Sequence, residues 1–112
     1  MDIIFKTKKF QKECNKKKLL VRIHGKRRAD LIERRLDDFR AATSLFEMKF
    51  LPGTRCHELK GNRSGEFSVD LDHPYRLIFR PVNDPLPKKP DGGFDWEGIT
   101  SIEIIGIKDT HE

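Results

Sequence analysis

Residues 51–79 read LPGTRCHELKGNRSGEFSVDLDHPYRLIF, and their pattern decides the fold. Pro52-Gly53 is a turn signal that closes whatever precedes it. Residues 55–59 and 67–71 are short and strand-like, and the Gly61-Asn62-Arg63-Ser64-Gly65 run between them is a loop by composition. Asp72-His73-Pro74 is a tight turn, so 67–71 and 75–80 are expected to pair as an antiparallel hairpin. Arg76 falls inside the second strand of that hairpin, between Tyr75, Leu77 and Phe79. A guanidinium in a strand interior needs a partner. Either an internal ion pair with Asp70 or Glu103 or a bound phosphate would supply one.

Working outward, Ile3-Ile4-Phe5 reads as a first strand. A basic helical segment follows, with Phe10, Cys14, Leu19 and Leu20 inward and Lys8, Lys9, Lys12 and Lys16 outward. A longer helix is expected over 26–42, where Ala29, Ile32, Leu36 and Phe39 form one apolar stripe. Ser44 and Glu47 have capping-box spacing and would start one further helical turn. On the C-terminal side, residues 81–98 hold four of the six prolines and three glycines. Neither residue suits a sheet interior, so this is a long excursion between strands. Trp96, the sole tryptophan, is expected to tuck it back onto the sheet. The last strand, 99–107, alternates until Ile104-Ile105, which suggests cover on both faces. A strand, two helices and a run of strands is an α+β order.

The bulk properties narrow the class. A chain of 112 residues makes one domain, and with 36% apolar and 37% charged residues it buries one modest core. No apolar run is long enough to span a bilayer. Lys6, Lys8 and Lys9 interrupt any secretory signal, so a soluble, cytoplasmic protein is expected, with no membrane partner. Two cysteines are too few for a disulfide framework or a zinc site, and strand alternation puts Cys56 and His57 on opposite faces. Residues 1–40 carry fourteen Lys or Arg against six acids, a net of +8, while 41–112 carry nine against twelve, a net of −3. A basic half points to an anionic polymer or an acidic protein partner. Lysines on helices are also often simply solvated.

The titratable residues suit metal-free attack on a phosphodiester. That reaction needs a base for the 2′-hydroxyl, cations for the charge gathering on phosphorus, and an acid for the leaving 5′-oxygen. His57 and His111 are the candidate acid–base groups, since imidazole titrates near neutrality. Asp109-x-His111 spacing puts both side chains on one face if the strand continues, so Asp109 would orient the ring. Lys60, Arg63 and Arg76 are the candidate cations, with Arg63 in a glycine-bounded loop that backbone or RNA can approach closely. No paired-carboxylate motif and no Cys/His spacing suggests a metal, and no cofactor is expected. His24 and His73 are given helix-surface and turn readings.

Gly53, His57-Glu58-Leu59-Lys60-Gly61, Gly65, Phe67-Ser68-Val69, Tyr75-Arg76-Leu77-Ile78-Phe79, and Asp109 with His111 together carry a family likeness. On these residues the chain resembles the HigB-type killer toxins of the RelE/ParE superfamily, the toxin halves of bacterial toxin–antitoxin pairs. The likeness runs from about the first strand to the C-terminus and is firmest over 51–79. It implies a small, twisted, mostly antiparallel sheet with helices packed on one face and the other face open as a concave RNA site. It also implies a ribosome-dependent mRNA endoribonuclease, silenced by a HigA-like helix-turn-helix antitoxin. His57 matches the family's middle histidine, and Lys60 and Arg76 match its phosphate-binding cations. The terminal Asp-Tyr-His of the family appears here with Thr110 in place of the tyrosine. Typical relatives have a much shorter connection at 81–98. A ParE-like gyrase-binding toxin and a non-catalytic RNA- or ribosome-binding module are the other classes compatible with the chain. His57 and the Asp109/His111 pair argue against the first, and Thr110 keeps the second open.

Overall fold

The computed structural model describes residues 1–109. It is α+β. Five strands, β1 (Asp2–Phe5), β2 (His57–Glu58), β3 (Phe67–Asp70), β4 (Tyr75–Pro81) and β5 (Ser101–Asp109), form one sheet in the order β1-β5-β4-β3-β2. β1 pairs with β5 in parallel and every other pair is antiparallel. Three helices, α1 (Lys8–Asn15), α2 (Lys17–His24) and α3 (Lys26–Ala41), lie between β1 and the rest of the sheet in sequence and cover one face.

The expected α3 stripe is the spine of the core: Ala29, Ile32, Leu36 and Phe39 are all buried. Phe39 meets Phe79 of β4 edge-on at 4.8 Å, and Phe79 stacks on Phe67 of β3. The N-terminal ammonium of Met1 donates to the carbonyls of Phe39 and Ala42 at 2.9 and 2.6 Å. It thereby satisfies acceptors at the negative end of α3. At the other end, Gly25 supplies the positive φ of 82° that the sharp α2–α3 connection requires.

The basic N-terminal segment is two helices rather than one. Lys16 takes an extended backbone, φ −131° and ψ 106°, and splits it. No glycine or proline marks the break, so composition gave no sign of it. Both short helices carry lysines in the first turn, against the helix dipole. Burial of Phe10 and Leu20 is what holds them down. The turn expected after Ser44 is a 3-10 turn, Leu45–Phe50. The capping box itself does not form: the Glu47 carboxylate accepts from Thr43 N, one residue before the N-cap, at 2.6 Å, and Ser44 makes no side-chain cap.

Two further expectations are corrected. The strand over 55–59 shrinks to His57–Glu58, because Arg55 sits at φ +42°, outside any strand conformation. The Ile104-Ile105 doublet does not mark cover on both faces. Ile78 pairs with Gly106 and Phe79 with Ile104, so Ile105 is the extra residue of a β-bulge. Gly106 follows it at φ 150°, a conformation that a side chain resists. The bulge resets the alternation, so that Ile102, Ile104 and Ile107 all pack into or against the helix-side core.

The 82–100 excursion completes the helix side of the sheet over β3. Phe94 is buried and meets Phe67 at 5.4 Å, and Trp96 meets the same ring edge-on at 5.1 Å. Asn83 ties the stem of the excursion together, accepting from Thr100 N and Ser101 N and donating to Thr100 Oγ1. Trp96 therefore tucks the loop onto the sheet. No helix among the described residues is long and apolar enough to cross a membrane.

Candidate active site on the open sheet face

Side chains of directly paired residues share a face. Phe67, Phe79 and Ile104 form one such row on the helix side. The next row therefore faces the other way: His57 of β2, Ser68 of β3, Ile78 of β4 and Gly106 of β5. Two residues along the strands, Asp70, Arg76 and Lys108 form a second row on that same open face. Ser68 and Ile78 are fully buried there without belonging to the helix-side core, and Leu59 is buried beside them. Charged groups and an imidazole thus share this face with the buried Ser68, Ile78 and Leu59.

The Arg76 guanidinium is the most deeply held of the cations, at 6% exposure. Its Nε lies 3.6 Å from Asp70 Oδ1, the ion pair named from sequence as the alternative to a phosphate. Glu103, the other named acid, binds Arg80 at 2.8 Å instead. Asp70 also accepts from Arg55 Nε at 3.1 Å through its second oxygen. Around this one carboxylate stand Arg55, Arg76 and, in register with Arg76, Lys108. The row is electropositive and suited to an anionic ligand.

His57 presents its imidazole through a specific main-chain contact. Its Nδ1 lies 3.0 Å from the carbonyl oxygen of Arg55. A carbonyl only accepts, so Nδ1 carries the proton, and the neutral ring then carries its lone pair on Nε2. That is the tautomer of a general base working through Nε2. Strand spacing puts His57 and Arg76 two strands and two residues apart, roughly 12 Å between α-carbons.

The remaining sequence candidates divide. Lys60 is exposed at the start of the 3-10 turn Gly61–Arg63, beyond β2. Arg63 is held by Glu66, Nη1 to Oε1 at 2.9 Å. Asp109, the last residue of β5, pairs with Tyr75 rather than with Arg76. It is therefore one residue out of the Asp70–Arg76–Lys108 row. Tyr75 packs toward the helices, where Arg28 lies 3.7 Å over its ring. Thr110 and His111 fall outside the described residues. Burial pushes the Cys56 thiol up to about 12, and the Cys14 thiol to about 12 as well, so neither suits nucleophilic work.

Three groups were missed in sequence. Ser68, Arg55 and Lys108 were not singled out as site residues. Period-two alternation along Phe67-Ser68-Val69-Asp70 was the available signal for Ser68, since it sets Ser68 and Asp70 opposite Phe67 and Val69. No sequence signal marked Arg55, whose left-handed backbone carries a strain of about 1–2 kcal/mol. His24 is not a plain surface residue either. Its Nε2 lies 2.7 Å from the buried carboxylate of Glu13, joining α2 to α1.

No family model and no curated protein matches the sequence. The fold does have solved counterparts. A YoeB/ParE toxin from Agrobacterium tumefaciens superposes with a TM-score of 0.57 at 13% identity, over 99% of this chain and 100% of that one. A YoeB–YefM complex from Staphylococcus aureus gives 0.55 at 15% identity, over 99% of this chain and 98% of that one. End to end, the chain is similar in fold to these YoeB/ParE toxins.

Proposed function

We propose that this chain is the toxin of a type II toxin–antitoxin pair and acts as a ribosome-dependent, metal-independent mRNA endoribonuclease. The observation that carries the reading is that one face of the sheet holds both the His57 imidazole, its Nδ1 against Arg55 O, and the Asp70–Arg76–Lys108 row. The whole-length likeness to toxin folds supports it. The finer assignment, a HigB-type toxin with a HigA-like helix-turn-helix antitoxin, rests on the residues of 51–79 that carry that resemblance. A toxin needs a silencing partner, and one of the similar structures is a complex of YoeB with YefM.

In this reading His57 Nε2 takes the proton of a ribose 2′-hydroxyl. The 2′-oxygen attacks phosphorus and the bond to the 5′-oxygen breaks, leaving a 2′,3′-cyclic phosphate. Arg76 and Lys60 stabilise the charge on the phosphoryl oxygens, and Arg63 contributes to RNA binding. His111 protonates the departing 5′-oxygen, and Asp109 orients His111. The open face offers no tyrosine or tryptophan among its row residues for stacking bases. The ribosome would therefore supply the in-line orientation, an effect worth up to several powers of ten.

The test is cleavage of mRNA on purified ribosomes carrying a programmed A site. The expected result is cutting within the A-site codon, little cutting of naked RNA, and a loss of roughly a hundredfold or more for His57→Ala and for Arg76→Ala. Rapid cutting of naked RNA would instead identify a free-standing ribonuclease. Binding to ribosomes without any cleavage would favour the non-catalytic reading.

A further inference from the structure

Two apolar surfaces of the helical part stand uncovered, and their rims carry opposite charge. The first is a hollow of about 370 Å³ at the C-terminal end of α3, lined by Ala41, Ala42, Phe50 and Leu51 together with Asp38 and Glu47. Phe50 is 69% exposed and Leu51 36%, so an adjacent pair of large apolar side chains meets water beside the hollow. The carbonyls at this end of α3 are already answered by the Met1 ammonium, so the negative rim consists of the two carboxylates. Asp38 lies 3.7 Å from Arg35 Nη1, and Glu47 forms no ion pair among the described residues.

The second surface is the outer face of α2. Leu19, half-buried, and Ile23, 47% exposed, lie one turn apart and form a short apolar ridge. Lys16, Lys18 and Arg22 flank it, all exposed. The nearby Lys17 and Lys26 are held by Asp30, whereas the three flanking cations form no ion pair among the described residues. One molecule cannot bring ridge and hollow together. α2 ends at the start of α3, and the hollow lies at the far end of that 16-residue helix, roughly 22 Å along its axis.

We propose that the α2 ridge of one copy docks in the α3-end hollow of a second copy of this chain. Leu19 and Ile23 meet Phe50 and Leu51 over the alanine floor, and the flanking cations meet Asp38 and Glu47. Apolar burial supplies the attraction, and the rims choose the pairing. Ridge on ridge would set cations against cations, and hollow on hollow would set acids against acids. A head-to-tail contact closes into a dimer when a two-fold axis lets each copy both give its ridge and receive the other's. The contact uses none of the open-face residues and stands or falls apart from the nuclease reading.

Sedimentation velocity of the full chain, from about 1 µM to about 1 mM, tests this contact. The expected result is reversible self-association with a Kd of about 10–100 µM, as suits a small patch, weakened several-fold by raising salt from about 0.05 M to about 0.5 M. Ile23→Asp on the ridge and Phe50→Asp in the hollow should each weaken association by about tenfold or more. Both side chains are exposed, so the melting temperature should fall by no more than about 4 °C. If Phe50→Asp does not fold, Phe50→Ser carries the same comparison.

Mixing the two variants gives the sharper test. The Ile23→Asp chain keeps a sound hollow, and the Phe50→Asp chain keeps a sound ridge. An equimolar mixture should therefore associate at least about threefold more tightly than either variant alone, a recovery that like-on-like pairing does not give. A chain still monomeric at about 1 mM would overturn the proposal and leave the hollow to a different protein. So would association that Ile23→Asp leaves untouched, or a mixture no tighter than its components.

Discussion

A guanidinium 6% exposed on a sheet face is held by its planar fork as much as by its charge. Lysine at position 76 would keep the charge and lose the fork geometry that suits both a carboxylate and a phosphate. Arg76→Lys is therefore expected to cut ribosome-dependent cleavage by at least about tenfold while the melting temperature falls only slightly. Wild-type rates in Arg76→Lys would mean that Arg76 acts only as a point charge. The thiols give a second residue-scale expectation. With Cys14 and Cys56 both pushed up to about 12 by burial, almost no thiolate exists at pH 8. Iodoacetamide should label the folded protein more than about tenfold slower than free cysteine, and rapid labelling of either thiol would contradict that environment. At this scale the sequence was partly legible. Asp70 was named as a partner for Arg76 because an arginine inside a strand demands one, and the alternation of β3 put it within reach. The backbone angle of Arg55 was not legible, since its side chain does not announce it.

Among the elements, α3 is joined to the β3–β4 turn by one polar contact. Arg28 binds Asp72 through Nε and Nη2, at 2.9 and 3.0 Å, while its guanidinium covers Tyr75. Hydrogen bonds from Arg28 are the main reason the Asp72 carboxyl is held below its usual value of 3.8. A folded-state pKa lower than the unfolded one adds stability at pH values above the unfolded pKa. That contribution is lost as pH falls through the folded value. Asp72→Asn should thus cost about 1–2 kcal/mol at pH 7 by urea unfolding, and the gap to the unmodified protein should close as pH falls below about 3.8. A constant gap across that range would assign the effect to packing. The apolar contact between the layers is stronger. Phe39 is fully buried between α3 and β4, and Phe39→Ala is expected to cost roughly 3–5 kcal/mol, enough to unfold a marginal domain.

The legibility of the elements follows the same physics. The α3 stripe and the β3–β4 hairpin could be read because repeated apolar spacing and a tight turn leave few alternatives. The split at Lys16 and the bulge at Ile105 could not, because both are set by packing across the sheet rather than by local composition. An apolar doublet in a strand has two physical readings, cover on both faces or a bulge. Only the register against Ile78 and Phe79 distinguishes them.

Over the whole molecule, the helices and the 82–100 excursion cover one side of the sheet and leave the other to the His57 and Arg76 rows. The basic surplus of residues 1–40 lies on the helical part, where the proposed function would use it for an acidic partner and leave the other face for RNA. The excursion was legible as a Pro/Gly-rich run. Its role as cover for Phe67 was legible only through Trp96. The C-terminal candidate His111 lies outside the described residues, so its part in the reaction stands on the family resemblance and needs a direct test. The most direct measurement is 5′-end mapping of cellular mRNAs after brief induction of the unmodified chain, of His57→Ala, and of a chain lacking residues 109–112. The account predicts new 5′ ends within translated reading frames for the unmodified chain alone, with both variants reduced by roughly a hundredfold. Absence of new ends in arrested cells, or equal cutting by all three proteins, would contradict it.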